Sequence, residues 1–157
     1  MAETSGRDSE AHERAVHEIS EDECLKLLAL FEFGRIAFRV GDVLEVFPIN
    51  YHVEGRELTF RTAPGTKLAG VLLADDVVFE IDNIGVREAW SVLAHGRARR
   101  LESSSELEAA TRLPIHPLIP TVTREYVRID LTRISGRRFH RWPEPDPASE
   151  PVVDSSD

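Results

Sequence analysis

Cysteine is nearly absent from this 157-residue chain: Cys24 stands alone. That excludes an internal disulfide framework and any multi-thiolate zinc or iron–sulfur site. Lysine is almost as scarce, with Lys26 and Lys67 the only two, so their positions carry information. No apolar run approaches the roughly 20 residues that a bilayer-spanning helix needs. The start, Met1-Ala2-Glu3-Thr4-Ser5-Gly6-Arg7-Asp8, has neither the basic beginning nor the hydrophobic stretch of a secretory signal. A soluble, cytoplasmic protein with one hydrophobic core is expected at this length.

Acid is abundant, but mostly at the ends. The formal charge is −9. Residues 1–19 hold five acids and two bases, and residues 143–157 hold five acids and no base, which leaves −1 for the segment 20–142. The flanks also lack the apolar periodicity that would repay the entropy of ordering them. Residues 1–19 therefore read as a mobile arm, helical at most near 11–19. Residues 143–157 read as a disordered, proline-rich acidic tail. The folded domain is expected over 20–142.

Within it, Ser20 can cap a helix and Glu23, three residues on, can reach back to it. Cys24, Leu27, Leu28 and Phe31 make one apolar stripe, and Gly34 is placed to end the helix in a left-handed conformation. The period then changes to two. Strands are predicted over 35–40, 43–53 and 57–62, joined by glycine-bearing turns at Gly41-Asp42 and Glu54-Gly55-Arg56 as an antiparallel meander. A short helix capped by Thr66 follows, then strands over 77–82 and 90–100, a helix over 103–113 and a strand over 125–138. In the strand 90–100, Trp90, Val92, Ala94 and Ala98 share a face, and Gly96 on that face marks a bulge or a close backbone approach. The expected fold is mainly β with short helices, a small antiparallel barrel.

Several chemistries can be set aside. Pro64-Gly65-Thr66-Lys67 has the wrong order for a triphosphate-binding loop, and there is no G-x-G-x-x-G, G-x-S-x-G or H-E-x-x-H. The six histidines are scattered, so no metal site is expected. Arg97, Arg99, Arg100, Arg137, Arg138 and Arg141 sit among acids and without lysines, which reads as solvated strand faces and not a nucleic-acid track.

What remains is Phe60-Arg61-Thr62-Ala63-Pro64-Gly65-Thr66-Lys67, a strand end, a turn and a helix start within eight residues. It contains a guanidinium, an ammonium, two hydroxyls and free helix amides, the groups that hold a phosphate. The same residues also describe a capped helix with Arg61 and Lys67 facing solvent; the placement of one of two lysines here favours the phosphate. On the preceding strand Pro48 cannot donate to a ladder, which frees backbone around Ile49 for a planar heterocycle, and Asn50 offers an amide. On this stretch alone, an edge bulge and a water-facing amide are the stronger reading. Trp90 and Ser91 offer an aromatic wall and a hydroxyl, or a core tryptophan.

These runs, from Phe-Gly-Arg-Ile-Ala-Phe through Val-Phe-Pro-Ile-Asn-Tyr, Phe-Arg-Thr-Ala-Pro-Gly-Thr-Lys-Leu and Val-Val-Phe-Glu-Ile-Asp to Trp-Ser-Val-Leu-Ala-His-Gly-Arg-Ala, lie in order along the chain. Together they resemble the pyridoxamine 5'-phosphate oxidase-like flavin-binding split-barrel proteins over roughly 110 residues. The resemblance implies a homodimer of split barrels with FMN in clefts between subunits. By position, Arg61, Thr62, Thr66 and Lys67 would hold the phosphate, and Pro48, Ile49, Asn50 and Tyr51 would line the isoalloxazine. Trp90 and Ser91 would come from the other subunit. Vitamin-processing members end in a basic, tryptophan-containing segment that helps hold pyridoxal phosphate, whereas Arg138-Phe139-His140-Arg141-Trp142 runs straight into the acidic tail. The resemblance thus implies a flavoprotein without fixing its second substrate.

Three functions follow. The first is an FMN-dependent oxidoreductase passing hydride through flavin N5, with no obvious general acid or base beyond His52 and Tyr51; a deazaflavin is the close variant. The second is a non-catalytic module that binds or senses the flavin. The third is a cofactor-free dimeric barrel.

Overall fold

The computed structural model describes residues 16–116 and 125–140, so the predicted tail 143–157 and most of the predicted arm lie outside the described residues. The strands are β1 (Val16–Ile19), β2 (Phe33–Val40), β3 (Val43–Glu54), β4 (Glu57–Thr62), β5 (Val77–Ile84), β6 (Glu88–Arg100) and β7 (Glu125–His140). The helices are α1 (Glu21–Leu30), α2 (Thr66–Leu73) and α3 (Ser104–Thr111). Strand order is β1-β7-β4-β3-β2-β5-β6, with β6 also bonded to β7. That last pairing closes β2 to β7 into a six-stranded antiparallel barrel, the mainly β fold expected from the sequence. None of the described helices is long and apolar enough to cross a membrane.

The end of the predicted arm needs correction. Residues 16–19 are neither mobile nor helical but form β1, paired with residues 136–139 of β7. The β4 pairing on the same edge of β7 stops at Asp130, so that edge is free to take another strand. Ile19 then joins the core.

The first helix starts as read: Ser20 Oγ accepts from Glu23 N at 3.3 Å. The Glu23 carboxylate turns outward instead, accepting from Arg138 Nη2 at 2.8 Å. Cys24 and Leu28 bury the apolar stripe. Gly34 does not cap this helix, which ends at Leu30 with Phe31 extended. Gly34 lies in β2, where a Cβ would meet Phe79 Cζ at 2.3 Å and Glu80 O at 2.7 Å, so its bareness serves strand contact. Gly41 and Gly55, both at φ 59°, occupy the two hairpin turns, which favour the left-handed region.

The core fills the barrel with alternate residues such as Ile36, Phe60, Phe79, Val92 and Ile129. Tyr51 lies among them, its ring edge-on to Phe79 at 4.6 Å and its hydroxyl donating to Leu28 O at 2.8 Å. On the outside, Tyr126 of β7 packs with Leu101, Leu107 and Ala110, which seats α3 against the barrel wall. Near α1, a Cβ on Gly136 would meet Cys24 Sγ at 2.6 Å. Burial, and the Glu23 charge after it, push the Cys24 thiol pKa up.

β6 and β7 slip register at His95/Gly96: Gly96 faces Leu131 while His95 faces Arg133. The extra residue, Thr132, donates its hydroxyl to His95 O at 3.3 Å. Gly96 satisfies both parts of its sequence reading, since a Cβ there would meet Asp130 O at 2.4 Å. Gly96→Ala should therefore cost about 2 kcal/mol or more by overpacking against backbone. Urea unfolding checks this, and a loss below about 0.5 kcal/mol would show that the bulge accommodates a methyl group.

Candidate functional site

The site follows from β3 changing partner. Residues 43–50 pair with β2, whereas residues 51–54 pair with β4 on the opposite edge. The β4-side edge of residues 43–50 therefore carries no strand. Continuing the β3–β4 register by one step sets Asn50 beside Arg61, and by two steps sets Ile49 beside Thr62. Strand alternation places Asn50, His52, Thr59 and Arg61 on the outer face, with Ile49 and Tyr51 turned into the barrel. Two groups assigned separately in the sequence are thus neighbours.

Arg61 is half-buried, its Nε is enclosed, and no acceptor among the described residues reaches that nitrogen. Leaving such a donor unmet costs about 1–3 kcal/mol, so the position wants an anion or another acceptor. Thr62, at the end of β4, donates its hydroxyl to Ala63 O at 3.3 Å.

The predicted threonine cap is not formed. Thr66 is the first helical residue, and the N-cap is Gly65, which supplies no side-chain hydrogen bond. The start of α2 consequently keeps amide donors that no cap satisfies, and such donors are suited to an anion.

Lys67 points elsewhere than a solvent-facing side chain would. Its ammonium stands 5.2 Å from the Phe47 ring centroid, within cation–π range. Burial lowers its pKa from the ordinary lysine value. It lines a groove of about 320 Å³ with Phe38, Glu45, Phe47, Gly70 and Leu73. Pro48, next to Phe47, is exposed and sits opposite Arg35 of β2.

Asn50 is half-buried and donates through Nδ2 to the carbonyl of His116. The Tyr51 side chain is 1% exposed, bonded to Leu28 and pushed up in pKa by burial. It lines the core, not a surface cleft, because it alternates with Asn50. Of the two acid–base candidates, only His52 lies on the outer face.

Trp90 and Ser91 lie far from this corner. Trp90 is 8% exposed and edge-on to Phe31 at 5.1 Å. It pairs with Arg138 on β7, whereas Arg61 pairs with Tyr126, twelve residues away on the same strand. That is about 40 Å of strand at roughly 3.3 Å per residue. The two groups do not meet within one chain.

Phe47 and His116 are contributors that the sequence reading missed. Phe47 was visible as an aromatic residue flanking Pro48. His116 carried no signal, because it acts through its carbonyl across 66 residues of chain. Several arginines weighed above as a nucleic-acid track are paired within the chain: Arg99 with Glu106 at 2.8 Å, Arg100 with Glu125 at 2.7 Å and Arg138 with Glu23. Among the described residues no cluster of three potential metal ligands occurs.

The unmet guanidinium nitrogen, the uncapped helix start and the half-buried ammonium suit a ligand with a phosphate. The open strand edge suits a planar group attached to it. Known proteins agree in kind. A family model described as pyridoxamine 5'-phosphate oxidase matches residues 20–138. An uncharacterized protein of Mycobacterium tuberculosis is 39% identical over 94 residues, 60% of this chain and 86% of that protein. A Corynebacterium glutamicum structure named as a candidate pyridoxamine 5'-phosphate oxidase is 36% identical, with TM-score 0.74, over 80% of this chain and 99% of that one. The structure of the FAD binding protein from Mycobacterium smegmatis is 38% identical, with TM-score 0.68, over 79% of this chain and 98% of that one. The chain belongs to the pyridoxamine 5'-phosphate oxidase family.

Proposed function

We propose that this protein binds FMN at the corner between β3, β4 and α2 and works as an oxidoreductase on a small molecule. The observation that carries the reading is the enclosed Arg61 Nε, unmet among the described residues, five residues before the uncapped start of α2. When bound, the flavin supplies hydride transfer at N5. Arg61 and the α2 amides hold the phosphate, Thr66 adds a hydroxyl donor, and Lys67 adds positive charge. Thr62 contributes from the end of β4. Pro48 and the backbone at Ile49 offer the ring an edge with no competing strand, and Asn50 offers a side-chain amide. His52 lies on that outer face and is placed to hold a proton near the reacting ligand.

Trp90 and Ser91 enter from a second copy. The length of β7 between their position and Arg61 supports this, as do exposed apolar residues such as Val43, Leu44, Val46 and Leu73 near the groove. A non-catalytic flavin-binding role is the second reading. It is favoured by the burial of Tyr51, which leaves the outer face with His52 as its acid–base candidate. Failure of both NADH and NADPH to reduce the bound flavin would favour that role.

The protein as purified should carry a flavin, and mass spectrometry of the released compound should give FMN; a mass of FAD would revise the cofactor while keeping the site. Arg61→Ala combined with Lys67→Ala should weaken flavin binding at least about 100-fold, since two charge-assisted contacts are lost. Thermal stability should stay close to that of the parent. Undiminished retention by the double variant would refute the phosphate site.

A Lys67 with depressed pKa loses its charge before an ordinary lysine does. Flavin affinity should therefore fall with rising pH from below the ordinary lysine pKa of 10.5. Lys67→Arg, which keeps its charge, should flatten that fall; an identical profile in the variant would remove Lys67 from the site. Sedimentation of the flavin-loaded protein should give a dimer, and a fully loaded monomer would rule out a shared cleft.

A further inference from the structure

Beyond α3 the chain turns back sharply toward β3. Leu113 N donates to Ala110 O at 3.1 Å, and Ile115 N donates to Leu113 O at 2.8 Å. Pro114 between them has no N–H to satisfy. The turn buries Ile115 to 8% exposure on a segment whose neighbours are open to solvent. One residue later the carbonyl of His116 meets Asn50 Nδ2. Residues 113–116 thus cross to β3 at the point where that strand leaves β2 and joins β4.

The chemistry of this contact fixes the amide. A backbone carbonyl only accepts, so Asn50 must present its NH2 group to His116. Its Oδ1 is then left as an acceptor, and no donor among the described residues reaches it. A freely turning asparagine could offer a ring either its donor or its acceptor. Asn50 has that choice removed by a contact from across the chain.

We infer that residues 113–116 form a strap, fastened by Asn50 and anchored by Ile115, that holds the Asn50 oxygen ready to accept an N–H from a bound ring. The inference rests on the flavin reading above and adds a specificity to it: the site selects a ring edge with an imide N–H, as the isoalloxazine has at N3. His116 is a positioning residue that acts through its backbone carbonyl. Ring selection and strap closure are one event, because a single amide serves both.

Two variants test this from opposite ends. Asn50→Asp keeps an acceptor but replaces the NH2 group with an oxygen that repels the His116 carbonyl. Ile115→Ser leaves Asn50 intact and loosens the other anchor. The strap is read in flavin-free protein by trypsin cleavage after Arg112, whose side chain is 71% exposed at the start of this segment. Ring selection is read by comparing the affinities of FMN and 3-methyl-FMN, which lacks the N3 proton. Circular dichroism verifies that both variants fold.

Cleavage after Arg112 should accelerate about tenfold in both variants, the effect of losing roughly one hydrogen bond. The parent should bind FMN about tenfold more tightly than 3-methyl-FMN, and Ile115→Ser should lose most of that preference although it removes no contact to the ring. Unchanged cleavage in Asn50→Asp would overturn the strap. Faster cleavage with an undiminished preference in Ile115→Ser would overturn the coupling. A parent that binds neither compound would overturn the flavin reading and the ring selection with it, an outcome distinguishable because cleavage is measured without flavin.

Discussion

A closed barrel bonds its strands on both edges, and along β3 this one divides that bonding between two partners. Residues 51–54 are bonded to β4, while residues 43–50 are bonded to β2 and leave their other edge bare. Bare edges invite aggregation unless something covers or blunts them. Here the bare stretch contains Pro48, which lacks a donor, and is followed by Asn50, which is tied to His116. The same split sets Arg61 and Thr62 beside Asn50 and Ile49 without ladder bonds between them. Ile49, Asn50, Arg61 and Thr62 owe their relative places to this change of partner.

The electrostatics follow from the same geometry. Arg61 leaves β4 where the ladder to β3 has ended, and its Nε is enclosed while no acid among the described residues answers it. Arg99 and Arg100, farther along the barrel, are answered by Glu106 and Glu125. The contrast separates arginines paired to acids from Arg61, whose Nε is enclosed without an acceptor among the described residues. Lys67 occupies a middle position, stabilised by the Phe47 face while burial weakens its hold on the proton.

Much of this was legible in the chain. Ser20 announced α1, Gly41 and Gly55 announced the two hairpins, and Gly96 announced the bulge, because each effect is local and acts through residues close in sequence. Gly34 was misread because a glycine just after a helix pattern satisfies a helix stop and a crowded strand equally well, and only Phe79, distant in sequence, decides between them. The strand β1 escaped notice because four residues have no strand preference strong enough to stand without β7. Thr66 looked like a cap and proved to be the first helical residue, an error of one position where boundaries are softest. The inward turn of Tyr51 was also legible: Ile49, Tyr51 and Val53 alternate with Asn50 and His52, and that period alone sends the ring into the core. The grip of His116 on Asn50 could not be read at all, since no local pattern encodes a contact 66 residues long.

The addition of β1 to β7 has a mechanical consequence. Val16 lies opposite Phe139, and Ile19, at the other end of the same four-residue ladder, is buried in the core. A pull on the chain before Val16 is therefore borne by the β1–β7 ladder before it reaches the Ser20 cap of α1 and the core beneath it.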